Sequence, residues 1–263
     1  MEIKPHSHPW YHRLSQLQTG YYYPWKSSLA EGNGEDAYHE LLEKHLAKDK
    51  DVLDVGCGHG EFTLSLADRC RSILAYDRIP AYIDLAREQA ENSGIKNVTF
   101  LCHDSKSGEL PSIPAEDDAF DLLISCRGPL HWIPDARRVA RPGARLIQLN
   151  PMETLPPPWV DLLPEVLQTQ AQIDYRFRMR ENIEYQLDLG GLQLHSCWTF
   201  DVPEYFDDPE QLYLRLAWGY TMEEVPSFRD VRDIFEQIYA QYADALGVQM
   251  RHRRFLWMAL VDK

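Results

Sequence analysis

The chain lacks any apolar run long enough to span a bilayer, and Met1 to Pro9 contain no apolar core of the kind a secretory leader needs. Membrane insertion and secretion are therefore not expected, and a cytoplasmic location is. Cysteine is sparse and unpatterned: Cys57, Cys70, Cys102, Cys126 and Cys197 are odd in number, scattered, and form no C-x-x-C pair. This argues against a disulfide or zinc framework and for reduced, mostly structural thiols, three of them in apolar runs that read as buried strands or strand ends. Positive charge is short as well, with 27 Lys and Arg against 41 Asp and Glu and a net charge of −14. So acidic a surface repels phosphate backbones, and nucleic acid is not the expected partner. Internal repeats and low-complexity tracts are absent, and a chain of 263 residues with 44% hydrophobic content has ordinary globular composition.

The charge is unevenly spread. Residues 201–247 hold eleven acids and three bases, more than half of the whole excess. If this segment shapes a site, it favours a neutral or cationic small molecule.

Residues 1–34 are irregular and aromatic, with Trp10, Tyr11, Tyr21, Tyr22, Tyr23 and Trp25 among Pro, Gly and Ser, and read as an N-terminal arm or lid. Apolar residues at helical spacing predict a helix from Glu35 to about Lys48. Strands and helices then alternate. Strands are expected at 51–55, 72–76, 98–102, 120–126 and 144–149, with helices over 61–69, 81–92 and 135–140. This is the pattern of a parallel sheet covered on both faces. After Pro156-Pro157-Pro158 a long helical stretch is expected from Trp159 to Leu187, then strands at 192–200 and 254–261 with acidic helices over 209–246 between them. Domain boundaries follow: an arm over 1–34 and one α/β domain over 35–263, with helical cap insertions near 156–190 and 205–247.

The informative stretch is Asp54-Val55-Gly56-Cys57-Gly58-His59-Gly60-Glu61, where a buried strand ends in an acid and three alternate glycines lead into a helix. Glycines there let the backbone turn tightly and approach a ligand, beside free N–H groups at the helix start. The spacing is D-x-G-x-G-x-G. It departs from the dinucleotide fingerprint G-x-G-x-x-G, whose third glycine would fall at Glu61. An acid at the strand end suits a ligand ammonium better than a pyrophosphate. Asp77 closes the second strand, His103-Asp104-Ser105 follow the third, and Arg137-Arg138-Val139-Ala140-Arg141-Pro142-Gly143 precede the fifth.

Together these residues resemble the class I S-adenosylmethionine-dependent methyltransferases, most strongly over 35–150. The resemblance implies a Rossmann-like three-layer sandwich with a seven-stranded sheet in the order 3-2-1-4-5-7-6, strand 7 antiparallel and the helical insertion between strands 6 and 7. It implies S-adenosylmethionine as cofactor and S-adenosylhomocysteine as product. The implied binding set is Asp54, Gly56, Cys57, Gly58, Gly60, Asp77, Arg78, His103, Asp104, Ser105 and Arg127. Within that set Asp77 would hold the ribose hydroxyls, Asp104 the adenine amine, and Cys102 or His103 a backbone N–H to the ring.

The loop after the fourth strand, Ser125-Cys126-Arg127-Gly128-Pro129-Leu130-His131-Trp132, lacks the [DNS]-P-P-[YFW] motif of amino-methylating nucleic-acid enzymes. It also lacks the Pro-Cys of cytosine chemistry and the acid cluster of metal-dependent O-methylation, so no metal is expected. Arg127 and His131 are the catalytic candidates: Arg127 as a fork for a substrate anion, His131 as a base. Trp132 reads as stacking near adenine or packing in the core. Tyr21, Tyr22, Tyr23, Trp25 and Lys26 are lid or substrate candidates, and Lys26 and Ser27 could reach the cofactor carboxylate. His6, His8 and His12 read as a mobile terminus, and Arg251-His252-Arg253-Arg254 as a basic run paired with the acidic insertion. The expected activity is methyl transfer to N or O of a small molecule. The alternatives are an RNA-base methyltransferase and an inactive cofactor-binding interaction protein. The oligomeric state is not legible.

Overall fold

A computed structural model describes residues 7–106, 112–168, 170–171 and 178–263. The chain begins with helix α1 (His8–Leu17), a two-residue strand β1 (Ser28–Leu29) and helix α2 (Glu35–Glu43). The α/β alternation follows as β2 (Asp51–Val55), α3 (Glu61–Ser65), β3 (Ser72–Asp77), α4 (Pro80–Asn92), β4 (Val98–Cys102), β5 (Phe120–Cys126), α5 (Ile133–Val139) and β6 (Ala140–Pro151). Then come α6 (Glu165–Gln168), α7 (Met179–Leu189), β7 (Gln193–Phe206), α8 (Pro209–Ala217), α9 (Phe228–Tyr242) and β8 (Val248–Leu260).

One sheet joins all eight strands in the order β1-β7-β8-β6-β5-β2-β3-β4. Strands β2 to β6 pair in parallel, and β8 runs antiparallel to both β6 and β7. The expected count of seven is corrected to eight, because Ser28 and Leu29 of the arm pair with Tyr205 and Glu204 and add an edge strand. Without β1, the remaining strands run in the expected 3-2-1-4-5-7-6 sequence. Alternate strand residues feed two cores, one per face: Leu53, Val55, Leu123, Leu146 and Trp257 on one, and Val52, Ile124, Ile147, Leu149 and Leu256 on the other. Helix α2 covers the second face with Tyr38 and Leu42, both buried.

The helix expected to continue to Lys48 ends at Glu43, where the amides of His45 and Leu46 both turn back to the Leu42 carbonyl. The long helix expected over Trp159–Leu187 is not there. Pro164 forces Leu163 into an extended conformation (ψ 150°), so the chain makes a short 3-10 turn (Val160–Leu162), restarts at Glu165, and resumes as α7 at Met179. Residues 169 and 172–177, part of that prediction, lie outside the described residues.

Strands β7 and β8 are longer than expected and extend past the sheet, carrying α8 and α9 between them. Helix α9 opens on a reciprocal Ser227–Asp230 capping box and buries Val231, Phe235 and Ile238 against Phe206, Leu212 and Leu216. Each such side chain contributes about 1.5–3 kcal/mol. Of the eleven acids in 201–247, ten lie in the exposed class, and Glu204 alone is half-buried. The acidity of this segment is therefore carried mostly by solvated side chains. Among the described residues no helix is long and apolar enough to cross a membrane.

Candidate active site

The turn after β2 is built from conformations that only glycine adopts readily. Gly56, Gly58 and Gly60 have φ of 72°, 56° and 81°. The amides of Gly56 and Cys57 both donate to the Tyr76 carbonyl, tying the turn to β3. A Cβ on Gly60 would come within 2.7 Å of Ala86 and 2.8 Å of Phe100, whereas one on Gly58 would meet nothing within 4 Å. Gly60 thus fits the turn to its own helices, and Gly58 keeps the outer face of the turn bare.

Two acids brace this turn. Asp77 accepts from the Gly58 amide (3.0 Å) and the Ile79 amide (2.9 Å), and burial raises its carboxyl above the usual range. Asp54 is buried beneath the glycines, accepts from the Thr63 hydroxyl at 2.6 Å, and is pushed up to about 7 by burial. The β5 loop rests against the same edge: Ser125 Oγ donates to the Val55 carbonyl (2.7 Å), and Gln148 Nε2 donates to the carbonyls of Gly128 and Pro129. Ser125, Gln148 and Thr63 were not singled out from the sequence; the signal for the first two was a polar residue inside an otherwise apolar strand.

The other candidates divide. His103 donates its amide to the Asp77 carbonyl (2.9 Å), so the expected N–H toward an adenine ring is not free, and its ring meets the Ser112 carbonyl and the edge of Tyr76. Asp104 accepts from the Lys106 amide, Ser105 is buried, and Cys102 is exposed rather than buried. The Arg78 guanidinium lies over the Tyr11 ring at 5.5 Å. Trp132 is fully buried and donates to the Pro129 carbonyl, so it belongs to the core. Burial, then Lys106, lowers the His131 imidazole to about 4, leaving it neutral near pH 7. Cys126 is held up at about 11 by burial, which keeps it a thiol.

The arm lies across this edge. The Tyr21 amide donates to His59 Nδ1 (3.2 Å), the Tyr22 ring lies tilted against His59 with centroids 4.6 Å apart, and the Tyr23 hydroxyl accepts from Arg127 Nη1 (3.1 Å). Trp10, Tyr21, Tyr23 and Trp25 all pack on Trp218, which joins the arm to the cap. Lys26 and Ser27 face the cap instead of the glycine turn: the Lys26 amide donates to Gln211 and the Ser27 hydroxyl to Glu204. His12 Nε2 lies 3.3 Å from Gln16, and His6 falls outside the described residues.

Arg127 adopts φ 60°, a strained conformation for a residue with a side chain. The basic run finds acids on strand β7 and helix α2 rather than on the cap helices: Arg251 and Arg253 meet Asp201, His252 lies 3.8 Å from Glu204, and Arg254 lies 3.5 Å from Glu35.

A doubly wound sheet, a left-handed glycine turn at the carboxyl end of β2 and an acid closing β3 define a class. Residues 52–148 match the family described as a methyltransferase domain. An uncharacterized methyltransferase of Bacillus subtilis (strain 168), YcgJ, is 29% identical over 44% of this chain and 43% of its own. The 23S rRNA uracil-C5-methyltransferase RlmD of Salmonella typhimurium is 37% identical over 28% of this chain and 17% of its own. The chain thus spans less than half the length of these curated relatives. A crystal structure of a functionally unknown protein from Deinococcus radiodurans R1 shares the fold with a TM-score of 0.66, 22% identity, and coverage of 95% of this chain and 98% of that one.

The residues present fit S-adenosylmethionine. Gly58 leaves the outer face of the turn bare, Asp77 lies beside it with its two oxygens accepting from the Gly58 and Ile79 amides, and Asp54 is buried beneath it.

Proposed function

We propose that this protein transfers a methyl group from S-adenosylmethionine to a nitrogen or oxygen of a small molecule. The observation that carries the reading is the left-handed Gly56–Gly58–Gly60 turn braced by Asp77, with the aromatic arm lying over it. When bound, the cofactor supplies a methyl group already activated by the sulfonium. The chain's own residues then have to align the acceptor and exclude water, since effective concentration supplies most of the catalysis in such a displacement. Tyr21, Tyr22, Tyr23 and Trp25 act as the lid that excludes water, and His131, neutral near pH 7, takes the acceptor's proton where it has one. Arg127 holds the acceptor at the sulfonium end.

An RNA-base reading is less well supported. The stretch shared with the rRNA enzyme is short, Cys126 is a buried thiol rather than a nucleophilic thiolate, and the basic run 251–254 is occupied by Asp201, Glu204 and Glu35.

Calorimetry with S-adenosylhomocysteine tests the proposal. Binding by the wild-type protein is expected, with Asp77→Ala weaker by about 1–3 kcal/mol, the scale of lost charge-assisted hydrogen bonds. Absence of wild-type binding would overturn the reading, and salt-sensitive retention of RNA on a filter would transfer support to the alternative.

A further inference from the structure

The carboxyl edge of the sheet divides in two. Apart from Arg127, the candidate cofactor residues lie on or just after β2, β3 and β4, which leaves the edge of β5, β6 and β8 for the acceptor. On that second half, two arginines share one carboxylate. Arg127 follows directly from β5, and Arg254 sits on β8 opposite Pro151, the last residue of β6. The antiparallel course of β8 is what brings Arg254 to this edge, on the face that Leu256 and Met258 turn toward helix α2.

Both guanidiniums approach Glu35 at the start of α2, Arg254 Nε at 3.5 Å and Arg127 Nη1 at 3.9 Å. Neither is at hydrogen-bonding distance in good geometry: Arg254 Nε has no hydrogen-bond partner, and the side chain is only 12% exposed. Arg254 Nη1 reaches only the Arg253 carbonyl, and Arg127 Nη1 reaches the Tyr23 hydroxyl of the arm. A third group points the same way. Tyr38, fully buried one helical turn after Glu35, has a hydroxyl without a hydrogen-bond partner, and Glu35, Arg127, Asp54 and Cys126 are the charged or titratable groups that act on it. Desolvated guanidinium donors left unsatisfied are costly, and a planar anion with two acceptor oxygens is what such forks fit.

Resting on the methyl-transfer reading, we infer that Arg254 and Arg127 form a subsite for a carboxylate of the acceptor, with Glu35 as their internal counter-ion and the Tyr38 hydroxyl as a further donor. The substrate class is then a small carboxylic acid methylated elsewhere on its skeleton. Tyr23, whose hydroxyl occupies Arg127, is the arm residue such a ligand displaces. Glu35 neutralises one guanidinium of two, so the arginine pair keeps a positive charge inside a strongly acidic protein. That contrast discriminates against cationic and neutral acceptors.

The test uses the full-length protein saturated with S-adenosylhomocysteine and titrated calorimetrically with acetate, benzoate, 4-hydroxybenzoate and glycine, each against its primary amide. At least one carboxylate is expected to bind with its amide binding at least about tenfold more weakly, the scale of losing a charge-assisted pair. Arg254→Gln should lose that preference. Glu35→Gln should strengthen carboxylate binding, a change of opposite sign that a merely structural defect would not give. Thermal melts verify folding, and Arg254→Lys should restore part of the preference if the glutamine variant melts early. Equal binding of acids and amides, no binding of any, or an unchanged Arg254→Gln would overturn the inference while cofactor binding left the methyl-transfer reading intact. A loss of S-adenosylhomocysteine affinity in Arg254→Gln, with 5′-methylthioadenosine affinity unchanged, would assign the pair to the cofactor's own carboxylate and overturn it as well. Failure of the wild type to bind S-adenosylhomocysteine would instead sink the underlying reading.

Discussion

The Thr63 hydroxyl donates a 2.6 Å hydrogen bond to Oδ2 of Asp54, and both side chains are buried under the glycine turn. One neutral donor does not replace the water an ionised carboxylate loses, so burial raises Asp54 to about 7, with Asp77 adding to the rise. The consequence for stability has a definite sign. In the unfolded chain Asp54 ionises near 3.8, so between there and about 7 the folded state holds more protons than the unfolded one. Its contribution is fully present below the unfolded value and is lost as pH rises to about 7, by up to about 4 kcal/mol at 1.36 kcal/mol per unit. Asp54→Asn should therefore melt higher than wild type at pH 8 and lose the advantage near pH 4. Asp77, raised in the same direction, retains part of the slope. Equal melting temperatures at pH 8 would show that Asp54 ionises as freely as in water.

Two glycines of the same turn should fail in different ways. At Gly60 an added Cβ meets Ala86 and Phe100 at 2.7 and 2.8 Å and the backbone has φ 81°, so Gly60→Ala should lose several kcal/mol of stability. At Gly58 the φ of 56° costs only about 1–2 kcal/mol and the Cβ has room. Gly58→Ala should therefore fold yet bind S-adenosylhomocysteine poorly, because the methyl occupies the face the ligand needs. Thermal melts paired with calorimetry separate the two, and a Gly58→Ala protein with wild-type affinity would move the cofactor off this face.

That contrast also marks what the sequence could disclose. The glycine turn, Asp77 and the parallel strands are local: a few consecutive residues set each conformation, and the pattern is visible in the chain itself. The Arg127–Glu35–Arg254 arrangement is not, because it exists only when β8 pairs antiparallel with β6 and carries Arg254 back to the edge where α2 begins. Strand β1 was illegible for a related reason, since two residues have no periodicity and pair only because β7 presents Glu204 and Tyr205. Pro164 is a break visible in the chain itself, within the helix expected over Trp159–Leu187. The excess acid is legible as composition, but the side of the fold on which it lies is not, because sequence gives charge without direction.

Helix α1 docks on the cap through Trp10, which makes its release testable. Trp10 is fully buried with its ring edge-on to Trp218 at 5.0 Å, and a Cβ on Gly219 would overlap the Trp10 indole. Arg13 adds a salt bridge to Glu224 of the cap. Gly219→Ala should undock α1 and open residues 18–27 to limited proteolysis while the main thermal transition, set by the sheet cores, shifts little. Cleavage at the wild-type rate would show that the arm is fixed by contacts other than Trp10.

His131 tests the electrostatics of the β5 loop without any substrate. Burial is the largest influence on its imidazole, Lys106 and Arg78 add to the lowering, and Asp104 opposes it, leaving the value at about 4. A carbon-bound imidazole proton of His131 should titrate in NMR with a midpoint near 4, assigned by its loss in His131→Gln. The sign of the linkage is opposite to that of Asp54: the unfolded histidine binds its proton near 6.5, so the contribution is present above that pH and is lost as pH falls toward 4. His131→Gln should consequently flatten the acid side of the stability profile, as Asp54→Asn flattens the neutral side. A midpoint near 6.5 would mean that the ring is solvated rather than buried.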